Sequence, residues 1–78
     1  MPKLPVVKGI ELKKFCEKLG FEVTRQRGSH IRMQHEDGRA TTIPIHSNKD
    51  IPRGLLRKII REDIKISLEE FQALYLEL

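Results

Sequence analysis

The chain has 78 residues, a formal charge of +4, 38% hydrophobic residues and only three Phe and one Tyr as aromatics. That length excludes a multidomain enzyme and predicts one domain over residues 1–78, with a thin core, because a chain this short buries only about 60% of the surface its unfolded form exposes. A single cysteine, Cys16, excludes an internal disulfide and suits a reducing compartment; with no apolar run of membrane-spanning or secretory type, the expected location is cytoplasmic and away from membranes.

The first predicted element is a helix. Leu12, Phe15, Cys16 and Leu19 fall at i, i+3, i+4 and i+7, a single apolar stripe. Lys13, Lys14, Glu17 and Lys18 take the wet side, and Gly20 stands where a C-terminal cap belongs. From Phe21 to Arg25 apolar and polar residues alternate, a short strand with Phe21 and Val23 on one side. Two further strands are expected over 29–35 and 39–46, joined at Asp37-Gly38.

The register of that hairpin follows from its apolar residues. A two-residue turn at Asp37-Gly38 pairs Ile31 with Pro44 and sets Ile31 and Met33 against the face of Ile43 and Ile45. A three-residue loop, Glu36-Asp37-Gly38 with Gly38 left-handed, pairs Ile31 with Ile43 and Met33 with Thr41. The large apolar side chains then share one face, so the three-residue loop is preferred. His30, Arg32, Gln34, Thr42, Pro44 and His46 are left on the opposite face. His35 has the parity of the core face and reads as structural.

A loop, Ser47-Asn48-Lys49-Asp50, leads to Pro52, which suits a first helical position. Leu55, Leu56, Ile59 and Ile60 give the second helix its buried side, and Arg53, Arg57 and Arg61 form a basic stripe. Ser67 and Glu70 predict a capping box for a short last helix with Leu68, Phe71 and Leu74 as its contacts. The expected order is α-β-β-β-α-α, an α+β fold with a three-stranded antiparallel sheet and two main helices on one face.

Charge is divided along this order. Residues 1–61 carry fourteen Lys and Arg against six Asp and Glu, a net of +8, and residues 62–78 carry one Lys against five acids, a net of −4. A basic body fits a polyanionic partner such as nucleic acid, although a solvated surface has the same composition.

Residues 25–30, Arg25-Gln26-Arg27-Gly28-Ser29-His30, carry the chemistry. Gly28 permits positive φ or close backbone approach where one strand hands over to the next. Ser29 supplies a hydroxyl and helps to shape the segment. His30 supplies an imidazole, the side chain suited to proton transfer near neutral pH, while Arg25, Arg27 and Arg32 supply charge for phosphate. RNA brings its own nucleophile, the 2′-hydroxyl, so a histidine beside arginines needs neither metal nor cofactor; such a proton transfer contributes roughly 10²–10⁴-fold. Lys49 and Arg53, near a helix N-terminus, are further phosphate candidates. His46 is a possible auxiliary acid, base or phosphate ligand. Three histidines and a cysteine on an apolar helix stripe make no recognised zinc spacing, and Cys16 reads as a core residue rather than a nucleophile.

The chain also resembles a known family. Gly9, Leu12, Gly20-Phe21, Arg25-Gln26 with Gly28-Ser29-His30, Asp37-Gly38-Arg39, Pro44 with His46, and Gly54, Leu56 and Ile59 together look like the HicA toxins, over about Gly9 to Phe71. The resemblance implies a double-stranded-RNA-binding-domain-like fold and an mRNA interferase, an endoribonuclease of a type II toxin–antitoxin system whose active histidine matches His30. It also implies a HicB-type antitoxin as partner. A non-catalytic RNA-binding module of the same fold and a pure protein-interaction subunit are the competing readings.

Overall fold

The computed structural model describes residues 4–46 and 49–77. Met1, Pro2 and Lys3, and Ser47 and Asn48 of the expected loop, lie outside the described residues.

Helix α1 spans Gly9–Lys18. At its start the Lys8 N–H donates to Glu11 Oε1 at 2.8 Å, one arm of a capping box that satisfies a donor the helix itself leaves free. Leu12, Phe15 and Cys16 of the expected stripe are buried. At the other end Phe21 N–H donates to the Cys16 carbonyl at 2.9 Å and Gly20 N–H to that of Glu17 at 3.1 Å, the paired bonds of a Schellman motif. Gly9 has a different task. A Cβ there would overlap the Pro44 carbonyl oxygen and lie 3.0 Å from Ile45 Cα, so only glycine lets the helix start this close to the third strand.

Strands β1 (Glu22–Arg27), β2 (His30–Gln34) and β3 (Ala40–Pro44) form one antiparallel sheet in the order β1-β2-β3. The second hairpin has the expected register, with Ile31 opposite Ile43 and Met33 opposite Thr41. His35 N–H donates to the Arg39 carbonyl at 2.8 Å around the three-residue loop, and Gly38 has φ of 100°. The β1 boundaries differ from the alternation-based reading. Phe21 is buried just before the strand, which continues two residues beyond Arg25 to Arg27. Likewise β2 and β3 are shorter than 29–35 and 39–46, because pairing stops at His30–Pro44 and Gln34–Ala40.

Helix α2 spans Arg53–Lys58 with Pro52 as its N-cap, so the helix starts one position later than the expected first helical residue, Pro52. The chain then winds more loosely, as a π-helical segment over Ile59–Ile64 that ends at Lys65 in the left-handed conformation, φ 62°. Apolar periodicity predicted an unbroken α-helix here, and it cannot separate the two windings over six residues. Helix α3 spans Leu68–Tyr75; Ser67 Oγ accepts the Glu70 N–H at 3.0 Å, and Phe71 is buried.

Leu12, Phe15, Cys16, Ile31, Met33, Ile43, Leu56, Ile59, Ile60, Ile64 and Phe71 belong to one buried cluster. The helices therefore cover the Ile31–Met33–Ile43 face of the sheet. Phe15 and Phe71 meet at 4.7 Å between ring centroids with a 60° tilt, a geometry that adds about 0.5–1.5 kcal/mol beyond area burial. The α+β architecture is thus the one expected, with the opposite face of the sheet left open. Among the described residues, no helix is long and apolar enough to cross a membrane.

Candidate active site on the open face of the sheet

The open face owes its charge to an irregularity in β1. Val23 pairs with Met33, but the next pair is Arg25 with Arg32, followed by Gln26 with Ile31 and Arg27 with His30. Thr24 is an extra residue, a β-bulge, and its hydroxyl donates to the Arg32 carbonyl at 3.4 Å. Strict alternation from Val23 would turn Arg25 and Arg27 toward the core. The bulge reverses their parity and sets both beside His30 and Arg32.

Arg25, Arg27, His30, Arg32 and Thr42 line an open depression of about 270 Å³. Arg32 Nη1 donates to Thr42 Oγ1 at 3.2 Å, which fixes one guanidinium across β2 and β3. The other two flank the imidazole from β1. Three guanidiniums and one imidazole thus share an exposed depression, a set of groups whose chemistry is able to bind an anion such as phosphate and to exchange a proton with it.

Gly28 and Ser29 place that histidine. They form the two-residue turn between Arg27 and His30, with Gly28 at φ 58°. Among the described residues Lys65 is the one non-glycine with positive φ, so only the first central residue is left-handed, the pattern of a type II′ hairpin turn. Sequence reading saw Gly28 as a hand-over between strands; the Gly-Ser dipeptide between Arg27 and His30 was the available signal for a tight hairpin.

His46 lies two residues beyond Pro44, the strand partner of His30. Its ring stands 6.3 Å from that of His30, centroid to centroid, at 82°. The Ile45 N–H donates to the Ser29 carbonyl and the Lys49 N–H to the His46 carbonyl, so the backbone on both sides of His46 is held. Lys49 and Arg53 are exposed and do not line the depression. Arg57 and Arg61 of the basic stripe instead line a second open depression with Gly54, Lys58 and Glu62.

The remaining polar residues serve the architecture. His35 Nε2 lies 3.2 Å from the Leu19 carbonyl, and Nδ1 lies 3.1 Å from both the Asp37 backbone nitrogen and Asp37 Oδ1. Its ring meets Phe21 edge-on at 5.2 Å. Asp37 accepts from the Arg39 N–H at 3.0 Å and from Arg39 Nε at 2.8 Å. The bond from the Arg39 backbone, then that guanidinium and its charge, hold the Asp37 carboxyl below the usual carboxylate range. Arg39 Nη1 then donates to the Ile64 carbonyl at 2.6 Å, and the guanidinium covers the Phe21 ring at 5.2 Å. Thr41 Oγ1 donates to Asp63 Oδ2 at 2.8 Å. Asp37-Gly38-Arg39 is therefore a clasp between the hairpin and the π-helical segment, a role not visible in the sequence because Ile64 lies 25 residues away. Burial pushes the Cys16 thiol up to about 12, which leaves it without thiolate character. Among the described residues no cluster of His, Cys, Asp and Glu is disposed to hold a metal ion.

The family model described as HicA toxin of bacterial toxin-antitoxin matches residues 9–65, a span that runs from the first residue of α1 to the left-handed Lys65 and includes the whole open face. No curated protein matches the chain.

Proposed function

The chain belongs to the HicA toxin family of bacterial toxin–antitoxin systems, and from that premise we propose that it is an endoribonuclease toxin that cuts mRNA, with His30 as the proton-transfer group. The observation that carries this reading is the convergence of His30 with Arg25, Arg27 and Arg32 in one open depression. RNA approaches as a polyanion and the three guanidiniums bind the phosphate. Their charge also opposes the negative charge that builds up on the phosphoryl oxygens as the 2′-oxygen attacks. His30 moves a proton to or from the reacting oxygens, a contribution of roughly 10²–10⁴-fold. Gly28 and Ser29 fix the turn that presents it. Because the substrate supplies its own nucleophile, proton transfer and charge stabilisation are all that the protein must add, and this chemistry needs no metal. Lys49 and Arg53 extend the basic surface along which the strand lies.

As a toxin of such a system the protein has an antitoxin partner. We assign to that partner a HicB-type fold and an acidic surface laid over the open face, which would neutralise the arginines and cover His30 together.

The decisive experiment is cleavage of an unstructured RNA in EDTA by wild type and by His30→Ala. Cutting by wild type, with a loss of two or more orders of magnitude in the variant, is the expected result. Equal cutting by both removes His30 from the chemistry. Binding of RNA by both proteins without cutting favours a non-catalytic RNA-binding module.

A further inference from the structure

We propose that His46 is a second catalytic residue, so that His30 and His46 form an acid–base pair that works on the two reacting oxygens of one phosphodiester. This inference rests on the ribonuclease reading of His30 and adds to it the group that handles the other proton.

Cleavage through the 2′-hydroxyl moves two protons. One leaves the 2′-oxygen as the bond from that oxygen to phosphorus forms. One must reach the 5′-oxygen as its bond to phosphorus breaks, giving a 2′,3′-cyclic phosphate and a free 5′-hydroxyl. Attacking and departing oxygens lie on opposite sides of phosphorus in an in-line displacement, so a single imidazole cannot lie within hydrogen-bond reach, about 2.6–3.2 Å, of both in one step. Arginines cannot help, because a guanidinium does not give up its proton. Two imidazoles several ångströms apart meet the requirement: one takes the 2′-proton, the other donates to the 5′-oxygen, and the net proton count is unchanged.

The sheet supplies that spacing. His30 pairs with Pro44, so His46 is its diagonal neighbour two residues along, a relation in which ring side chains still reach one another. The rings stand 6.3 Å apart and nearly perpendicular. Both are exposed, and Pro44 between them brings no polar group to compete. His46 is also well placed by its surroundings. The Ile45 N–H bonds to the Ser29 carbonyl, inside the turn that presents His30. Gly9 packs the start of α1 directly on Pro44 and Ile45, and the Ile51 N–H donates to the Val7 carbonyl at 2.8 Å. The end of β3 is thus clamped from both sides, and the two histidines keep their relation through it.

The test uses wild type, His30→Ala and His46→Ala on two substrates: a short RNA, and a nucleoside 3′-(p-nitrophenyl phosphate), whose leaving group departs without protonation. On RNA each variant should lose roughly 10²–10⁴-fold. On the nitrophenyl ester one variant alone, the one lacking the acid, should return close to the wild-type rate; the other, lacking the base, keeps its loss and also loses the acid limb of the bell-shaped pH–rate profile, which a merely structural defect leaves in place. His46→Ala cutting RNA at the wild-type rate overturns the pair and leaves the ribonuclease reading intact. Recovery of neither variant, or of both, on the ester also overturns the pair. Wild type inactive on RNA defeats the ribonuclease reading itself, and the pair with it.

Discussion

Arg25 stands directly opposite Arg32 across β1 and β2, two like charges in a strand pair. Such a pair weakens a sheet by a few tenths of a kcal/mol to about 1 kcal/mol. The chain accepts the repulsion and inserts Thr24 to create it. A phosphate bridging the two guanidiniums would turn the same repulsion into attraction, which is what the proposed RNA-binding role asks of this pair.

Arg25→Gln should accordingly separate binding from stability. Thermal unfolding is expected at the wild-type temperature or slightly above, because a repulsion is relieved at an exposed position. RNA affinity should fall, and the slope of log K against log salt should become shallower by about 0.7, the share of one phosphate on a single strand. Fluorescence anisotropy over a salt series together with thermal melts measures both. A drop in melting temperature with an unchanged slope would show that Arg25 is structural.

Gly28→Ala tests the turn that presents His30. Nothing lies within 4 Å of a Cβ at Gly28, so the cost comes from its φ of 58° alone. Left-handed backbone costs a residue with a Cβ about 1–2 kcal/mol, which in a domain of this size lowers Tm by roughly 4–16 °C. Asn gains little here, because its tolerance is for the left-handed α region and not for the first central position of a type II′ turn, and Gly28→Asn should melt close to Gly28→Ala and below wild type. Thermal melts of the three proteins check the ranking; equal stability of Gly28→Ala and wild type would mean that the turn relaxes to another type.

The Asp37–Arg39 clasp makes stability depend on acid pH. The Asp37 carboxyl is held below its ordinary range, and an unfolded Asp titrates near 3.9. A depressed folded-state value means that the stabilisation is complete above the unfolded value and lost as pH falls through the folded one. Denaturant midpoints measured from about pH 5 down to about pH 2 should fall more steeply for wild type than for Asp37→Asn, which lacks this titration. Parallel curves would dismiss the clasp as a source of the acid sensitivity.

Sequence and structure agree most closely in the second hairpin. Ile31, Met33, Ile43 and Gly38 settle its register because a one-residue slip would separate the apolar side chains, and the observed pairs are the expected ones. The α1 stripe, the Gly20 stop and the Ser67 cap were legible for the same reason: each depends on residues within two turns of one another. His30 and His46 could be assigned to one face by parity alone.

The bulge at Thr24, the π winding over Ile59–Ile64 and the clasp from Arg39 to Ile64 were not legible. By itself the sequence determined which residues are apolar and at what spacing, and hence the order of elements and the identity of the open face. Tertiary structure decided that Arg25 and Arg27 join that face and how far His46 stands from His30. Periodicity records only the side a residue takes within its own element, whereas an inserted residue or a long-range bond has meaning only against the partner strand or helix that the folded chain brings to it.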